Sequence, residues 1–205
     1  MRCLFAPATI LLLLFNCEIV FGQENDLQLT ASITGERYCT LNGSVDFLQL
    51  TLRLKYMNTG SRKMILYKGN RLFYQVFVNR SNEDAAARKS ELRTTHSRYF
   101  DEEPEKILGS APGSVFTTIS PGASYETRQI ISLPVAHDGN GLYNVSIGAG
   151  EHVLSVAAST WYESKKIADT LRDRWRSRGL LWTNPLFSNP VTFVVDQNHQ
   201  AIVCH

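Results

Sequence analysis

The segment VDFLQLTLRLKYMNTG, Val45 to Gly60, constrains the fold more than any other part of the chain. Leu48, Leu50, Leu52, Leu54 and Tyr56 occupy every second position, with Gln49, Thr51, Arg53 and Lys55 between them. A period of two places the apolar set on one face of a strand and the polar set on the other, so the segment predicts a strand with one buried and one wet face. The cluster Asn58-Thr59-Gly60-Ser61 predicts the turn that ends it.

Similar patterning runs through the rest of the chain. Leu27, Leu29, Ala31 and Ile33 form a short apolar face bounded by Gly35, which reads as a strand. MILYKG and RLFYQVFVN, separated by Gly69-Asn70, read with the Val45 segment as an antiparallel meander. VFTTI, SYETRQIISL, HVLSVAASTW and VTFVV supply further strands, separated by Pro121-Gly122 and by the turn-rich HDGNGLYNVSIGAGE. Thr94 to Gly113 is polar and irregular and predicts a long loop.

Two segments break the pattern. In SNEDAAARKSEL, Ser81 can cap and Asp84 lies three residues on, which predicts a short surface helix. Lys165 to Arg178 predicts a longer amphipathic helix: Ser164 can cap it, Gly179 can end it, and Ile167, Leu171 and Trp175 recur at four-residue spacing. The count of about seven to nine strands with two helical interruptions predicts a mainly β, antiparallel two-sheet sandwich, with the longer helix inserted before the last strand.

The first residues, MRCLFAPATILLLLFNCEIVFGQEND, combine Arg2, an apolar run from Leu4 to Phe15 and a small-residue exit at Gly22. This is the layout of a secretory signal peptide over residues 1–22, with a secreted or periplasmic product. Leu14-Phe15-Asn16-Cys17 is the competing reading, a lipoprotein signal that would leave Cys17 lipidated. Cleavage after Gly22 leaves residues 23–205 as a single domain, long enough to bury a core.

Cys39 and Cys204 are the cysteines of that mature chain, and in an oxidising compartment such a pair predicts a bridge. It would staple the first strand to the C-terminal tail. Closing so long a loop is worth roughly 4 to 5 kcal/mol through the entropy of the unfolded chain.

Three pieces, LTLRLKYMNTGSRKMILY, ISPGASYETRQIISL and AGEHVLSVAAS, resemble the strand signatures of secreted immunoglobulin-like sandwich domains, among them the intracellular proteinase inhibitor type. The shared features are a strand ending in N-x-G, a P-G-x-S/T turn opening a strand, and G-x-x-x-L-x-V. The whole chain also resembles uncharacterised bacterial secreted proteins with a C-terminal W-T-x-P segment, here Trp182 to Pro185. The resemblance implies the fold far more than an activity. The inhibitor likeness implies an exposed loop that enters a protease cleft, for which Ala111 to Ser114 and Asp138 to Gly141 are the candidates.

Local motifs for chemistry are lacking. Gly109-Ser110-Ala111-Pro112-Gly113 has alanine where a nucleophile elbow needs its second conserved position filled otherwise. His137-Asp138 is a pair suited to base catalysis but sits in a Gly-Asn-Gly turn. Asp138-Gly139-Asn140-Gly141 resembles the start of a calcium loop, which Leu142 and Ala149 then break. The acidic cluster Asp101, Glu102, Glu103 and Glu105 reads as a solvated loop. Neither H-E-x-x-H nor C-x-x-C occurs, so no metal and no cofactor is expected.

Asn42, Asn79 and Asn144 open glycosylation sequons. The segment DTLRDRWRSRGLLW carries four arginines, but Asp169 and Asp173 oppose them and the net charge of the whole chain is only +2. A grip on nucleic acid is therefore not expected, and membrane contact is expected only through lipidation at Cys17.

These readings converge on a secreted, non-enzymatic module that binds a protein or cell-envelope partner through its loops and the segment from the helix to Pro185. Arg176, Arg178, Trp182 and Pro185 are its candidate surface, with Trp182 buried beside Trp175 or exposed near Pro185 as the two alternatives. A hydrolase assembled from separate strands would instead gather His96, His137 or His152 with acidic residues in a pocket. A proteinase inhibitor would need a rigid protruding loop. Reduction should raise the intact mass of the mature protein by two protons, and free thiols at Cys39 and Cys204 before reduction would refute the bridge.

Overall fold

The computed structural model describes residues 26–41, 45–68, 72–87, 89–97, 116–136, 139–160 and 165–204. The leader 1–22 with Cys17, the acidic cluster at 101–105, the candidate loop 111–114 and His137-Asp138 lie outside the described residues.

Among the described residues the chain is mainly β, with two helices. Its strands are β1 (Leu27–Leu41), β2 (Val45–Asn58), β3 (Met64–Tyr67), β4 (Leu72–Asn79), β5 (Leu92–Ser97), β6 (Phe116–Ile119), β7 (Ser124–Val135) and β8 (Gly150–Thr160). The shorter β9 (Leu180–Leu181), β10 (Leu186–Phe187), β11 (Val191–Val195) and β12 (Ile202–Val203) complete the set, with α1 at Asn82–Ala86 and α2 at Lys165–Trp175. They form three hydrogen-bonded sheets: β12-β1-β2-β7, a sheet in which β8 separates β4 and β5 from β10 and β11, and the small β6-β3-β9.

β2 behaves as its alternation predicts. Leu48, Leu50, Leu52, Leu54 and Tyr56 are all at most 1% exposed, and they face Ile33, Ala31 and Leu29 of β1 and Leu133 and Ile131 of β7 across the ladders. All three sheets contribute to one apolar core. Gly35 does not end β1, as the sequence predicts. The strand continues to Leu41, with a register shift between Ile33 and Gly35, the bulge that a glycine inside a strand often marks.

The predicted meander is not formed. Both edges of β2 are occupied by β1 and β7, while β3 pairs with β6 and β9, and β4 pairs with β5 and β8. The physical reason lies in β3 and in Asn58. All four β3 residues are buried, so that strand needs cover on both faces and cannot lie at a half-wet edge. Asn58 is fully buried: its amide donates to the carbonyls of Arg62 (2.7 Å) and Ile119 (2.8 Å) and accepts from the Gly60 amide (3.0 Å). These bonds turn the chain out of the first sheet and join that turn to the end of β6.

α2 stops at Trp175, a turn short of the predicted Arg178, and four strands follow it instead of one. Ala168, Leu171 and Trp175 are buried, and the Trp175 ring meets Phe116 of β6 edge-on at 4.2 Å. Gly179 then lets the chain join β3: a Cβ there would stand 2.6 Å from the Lys63 carbonyl, which accepts from the Leu180 amide at 2.8 Å. Thr94 to Ser97, predicted as loop, belong to β5, a polar edge strand whose pairing with β4 comes from the backbone.

The predicted bridge is present. Cys39 and Cys204 are joined, with Cα atoms 5.4 Å apart, where β12 runs parallel to β1. His199 reinforces the same junction: it stacks on Tyr38, contacts the Asp46 carboxylate at 3.0 Å and reaches the Asp196 carbonyl at 2.8 Å. Among the described residues, no helix is long and apolar enough to cross a membrane.

Burial raises the Tyr56 hydroxyl well above its ordinary 10.0, with the Tyr74 hydroxyl beside it a lesser cause. The folded state thus holds a proton that the unfolded chain releases above pH 10. That stability is present below pH 10 and is lost as pH rises beyond it, by about 1.4 kcal/mol per pH unit. Urea unfolding of Tyr56→Phe at pH 9 and 11 should show a smaller decline than the unmodified protein; equal declines would contradict this.

Candidate functional site

Two concave features and a projecting turn of the described residues lie around α1, at the turn between β4 and β5. The Ser81 hydroxyl accepts from the Asp84 amide at 3.0 Å and donates to the Asp84 carboxylate at 2.9 Å, the cap that the sequence predicts. Glu83 and Asp84 lie in the first turn, where the helix dipole favours negative charge. A helix this short has little stability of its own. Its place is set by the cap and by β4 and β8, against which it packs.

On one side of α1 lies a cavity of about 560 Å³. Phe77 of β4, Ala85 and Ala86 of α1, and Phe187 and Pro190 from the β10–β11 bend supply its apolar walls. The bend is held by side chains that replace ladder bonds. The Ser188 hydroxyl accepts from the Val156 amide at 3.0 Å, and the Asn189 side chain accepts from the Ala31 amide at 2.9 Å while donating to the Ala31 carbonyl at 3.3 Å. Asn189 thereby pairs with β1 much as a backbone peptide would.

The other side of α1 is charged. Arg80, Asp84, Lys89, Glu91 and Tyr143 line an open cleft there, which shares Ser90 with the apolar cavity. Arg80 contacts Glu91 at 3.0 Å, and that hydrogen bond, with the carboxylate charge, holds the guanidinium above its ordinary range. Behind Glu91 stands buried His152, whose Nδ1 is 3.4 Å from the second Glu91 oxygen. Its Nε2 lies 2.8 Å from the Gly148 carbonyl, which can only accept, so that nitrogen carries a proton.

Above this cleft a turn projects. Leu142 and Ser146 exchange backbone bonds at 3.0 and 2.9 Å, the Val145 amide donates to Leu142, and the Asn144 amide donates to the Glu91 carbonyl at 2.8 Å. Asn144 adopts φ 58°, a left-handed conformation that asparagine tolerates better than most residues. Leu142, Tyr143 and Val145 are consequently 62%, 71% and 56% exposed.

The residues expected from sequence are distributed differently. Trp182 is buried at 3%, its ring 6.0 Å from Tyr56 and its Nε1 donating to the Asn184 carbonyl, so it is a core residue and leaves the candidate surface. The reason is strand β9: the Trp182 amide donates to Ile65 at 2.9 Å and draws the side chain under the small sheet. Arg176, Arg178 and Pro185 are exposed.

Of the histidines proposed for a hydrolase, His152 does meet an acidic residue: it is buried, with Nε2 on the Gly148 carbonyl and Nδ1 3.4 Å from the Glu91 carboxylate but not hydrogen-bonded to it. His137 and the His96 side chain lie outside the described residues. In the second candidate inhibitor loop, Gly141 packs against the Gly148 backbone, so Leu142 to Val145 project in its stead. Of the sequon asparagines, Asn79 is buried, Asn144 is exposed, and Asn42 lies outside the described residues. Among the described residues, no group of three or more His, Cys, Asp or Glu side chains could hold a metal.

No family model and no curated protein matches the chain. A solved structure, the X-ray structure of Northeast Structural Genomics Consortium target SoR45, is similar over 88% of this chain and 95% of its own, at 8% identity and a TM-score of 0.37.

Sequence reasoning missed the apolar cavity because its walls come from four separated elements. One signal was present: RLFYQVFVN carries aromatic residues at both alternating positions, which marks a strand whose outer face is also partly apolar. Replacing Ser81 with Ala should cost about 1 kcal/mol of local stability, speeding hydrogen exchange at the Ala85 and Ala87 amides about fivefold. Unchanged exchange there would show that α1 does not depend on its cap.

Proposed function

We propose that the chain is a secreted, disulfide-stapled, immunoglobulin-like sandwich module that binds a protein partner at its α1 end and performs no catalysis there. The two larger sheets share one core across their inner faces, which supports the sandwich reading, with β6-β3-β9 and α2 as an addition at one side. The sequence of residues 1–22 and the disulfide support export.

The observation that carries the binding reading is the turn from Leu142 to Val145. A hydrogen-bonded turn that keeps three large apolar side chains in water loses little entropy when a partner covers them. Its flank of Arg80, Asp84 and Lys89 supplies the polar rim of a protein interface. Arg176, Arg178 and Pro185 remain an exposed surface, with Trp182 beneath it instead of on it. A proteinase inhibitor is the second reading, and the same protruding turn is what favours it.

A photo-crosslinking residue in place of Tyr143, presented to the secreted and envelope fraction of the source cells, should give one discrete protein adduct that is absent when the residue replaces Glu126. With the captured partner in hand, Leu142→Ser should weaken binding about thirtyfold, the effect of a residue worth about 2 kcal/mol. Equal adducts at both positions would overturn the proposal. Stoichiometric inhibition of a secreted protease that prefers leucine or tyrosine would select the inhibitor reading, and adducts with lipid alone would move the partner to the membrane surface.

A further inference from the structure

We infer that the cavity between α1, β4, β8 and the β10–β11 bend is a binding site for an uncharged, largely apolar small molecule bearing at least one hydrogen-bonding group. The site is separate from the protein-binding turn and does not depend on it. Three observations select this class of occupant.

The first is size and shape. About 560 Å³ lies within the range of small-molecule sites and far exceeds what one inserted side chain would fill. The space is walled on several sides by a helix, a sheet face and a strand bend. A flat partner surface would not enter it.

The second is the chemistry of the lining. Among the described residues its polar members are Asn79, Asn82, Ser90, Ser155 and Ser188, all uncharged, set among aromatic and aliphatic walls. Among the described residues, Arg80, Asp84, Lys89 and Glu91 line the neighbouring cleft and not this cavity, and Arg93 approaches it only behind the Phe77 ring. A charged ligand would give up its hydration here without meeting an opposite charge among the described lining residues, whereas amide and hydroxyl groups can serve a neutral donor or acceptor.

The third is construction. Phe77 carries the Arg93 guanidinium 5.2 Å from its ring centroid, and Arg93 is itself held by Gln75 at 2.9 Å, so this aromatic wall is braced from outside the cavity. Phe187 is 60% exposed at the opposite wall, and the bonds of Ser188 and Asn189 fix the backbone that carries it. Two aromatic walls on braced backbone suit a flat apolar body between them.

The test uses mature protein, residues 23–205, and the neutral fluorophore N-phenyl-1-naphthylamine. Titration should show saturable binding at one site per chain, with nuclear Overhauser contacts from the naphthyl protons to the Ala85 and Ala86 methyls. Ser155→Trp and Ala86→Trp, which fill the cavity from different walls, should each weaken binding at least tenfold. Leu142→Ser should leave it unchanged, which separates this site from the protein-binding turn.

The anionic relative 1-anilinonaphthalene-8-sulfonate should bind at least tenfold more weakly than the neutral probe. Absence of saturable binding, magnetisation transfer to other residues, or undiminished binding in a filled variant that remains folded would overturn the site. Equal or tighter binding of the anion would overturn the ligand class. Should both filled variants fail to fold, the contacts to Ala85 and Ala86 in the unmodified protein decide the matter.

Discussion

Burial of one face of β2 is the constraint on which the remaining architecture depends. Five side chains, from Leu48 to Tyr56, are withdrawn almost completely from water. At about 2 kcal/mol each, their burial is comparable with the whole net stability of an ordinary domain. No arrangement that exposes that face can compete. β1 and β7 occupy the two edges of β2 over nearly its full length, and their inward residues complete the same layer.

With both edges of β2 filled, the chain leaving its end must build elsewhere. Asn58 directs that departure, and the four buried residues of β3 then require a second layer of cover. α2, β6 and the segment through Trp182 supply it. The two tryptophans of DTLRDRWRSRGLLW are thus both structural, one against Phe116 and the other against Tyr56, while the arginines of the same stretch stay in water. A basic appearance in sequence becomes, in the fold, the wet side of an inward-facing cover.

The α1 end combines features of opposite chemistry across one short helix. Its capped first turn and the Arg80–Glu91 pair face a charged cleft, whereas its alanines face the apolar cavity. The projecting turn is tied to the backbone of Glu91, the residue whose carboxylate approaches His152. Cleft, turn and buried histidine are therefore mechanically connected through Glu91. Asn189 plays the corresponding part across the molecule, linking the β10–β11 bend to β1 and so the cavity wall to the first sheet.

Local pattern was sufficient wherever a residue's environment depends on its immediate neighbours. The alternation of β2, the Ser81 cap, the burial of Leu171 and Trp175 on α2 and the Cys39–Cys204 pair were all legible from spacing and residue type. The pairing of β3 and β4 was not, since an apolar run shows that a strand is buried without showing what buries it. The two-residue strands β9, β10 and β12 are too short to carry a period, and polar β5 owes its pairing to backbone groups common to every sequence. The burial of Trp182, the bend at Ser188–Asn189 and the cavity beside α1 arise from contacts between residues far apart in the chain, 158 positions for Asn189 and Ala31. The sequence by itself therefore determined which faces had to be hidden. Only the tertiary structure decided what hides them and what stays open, because those outcomes depend on long-range competition for the same apolar surface.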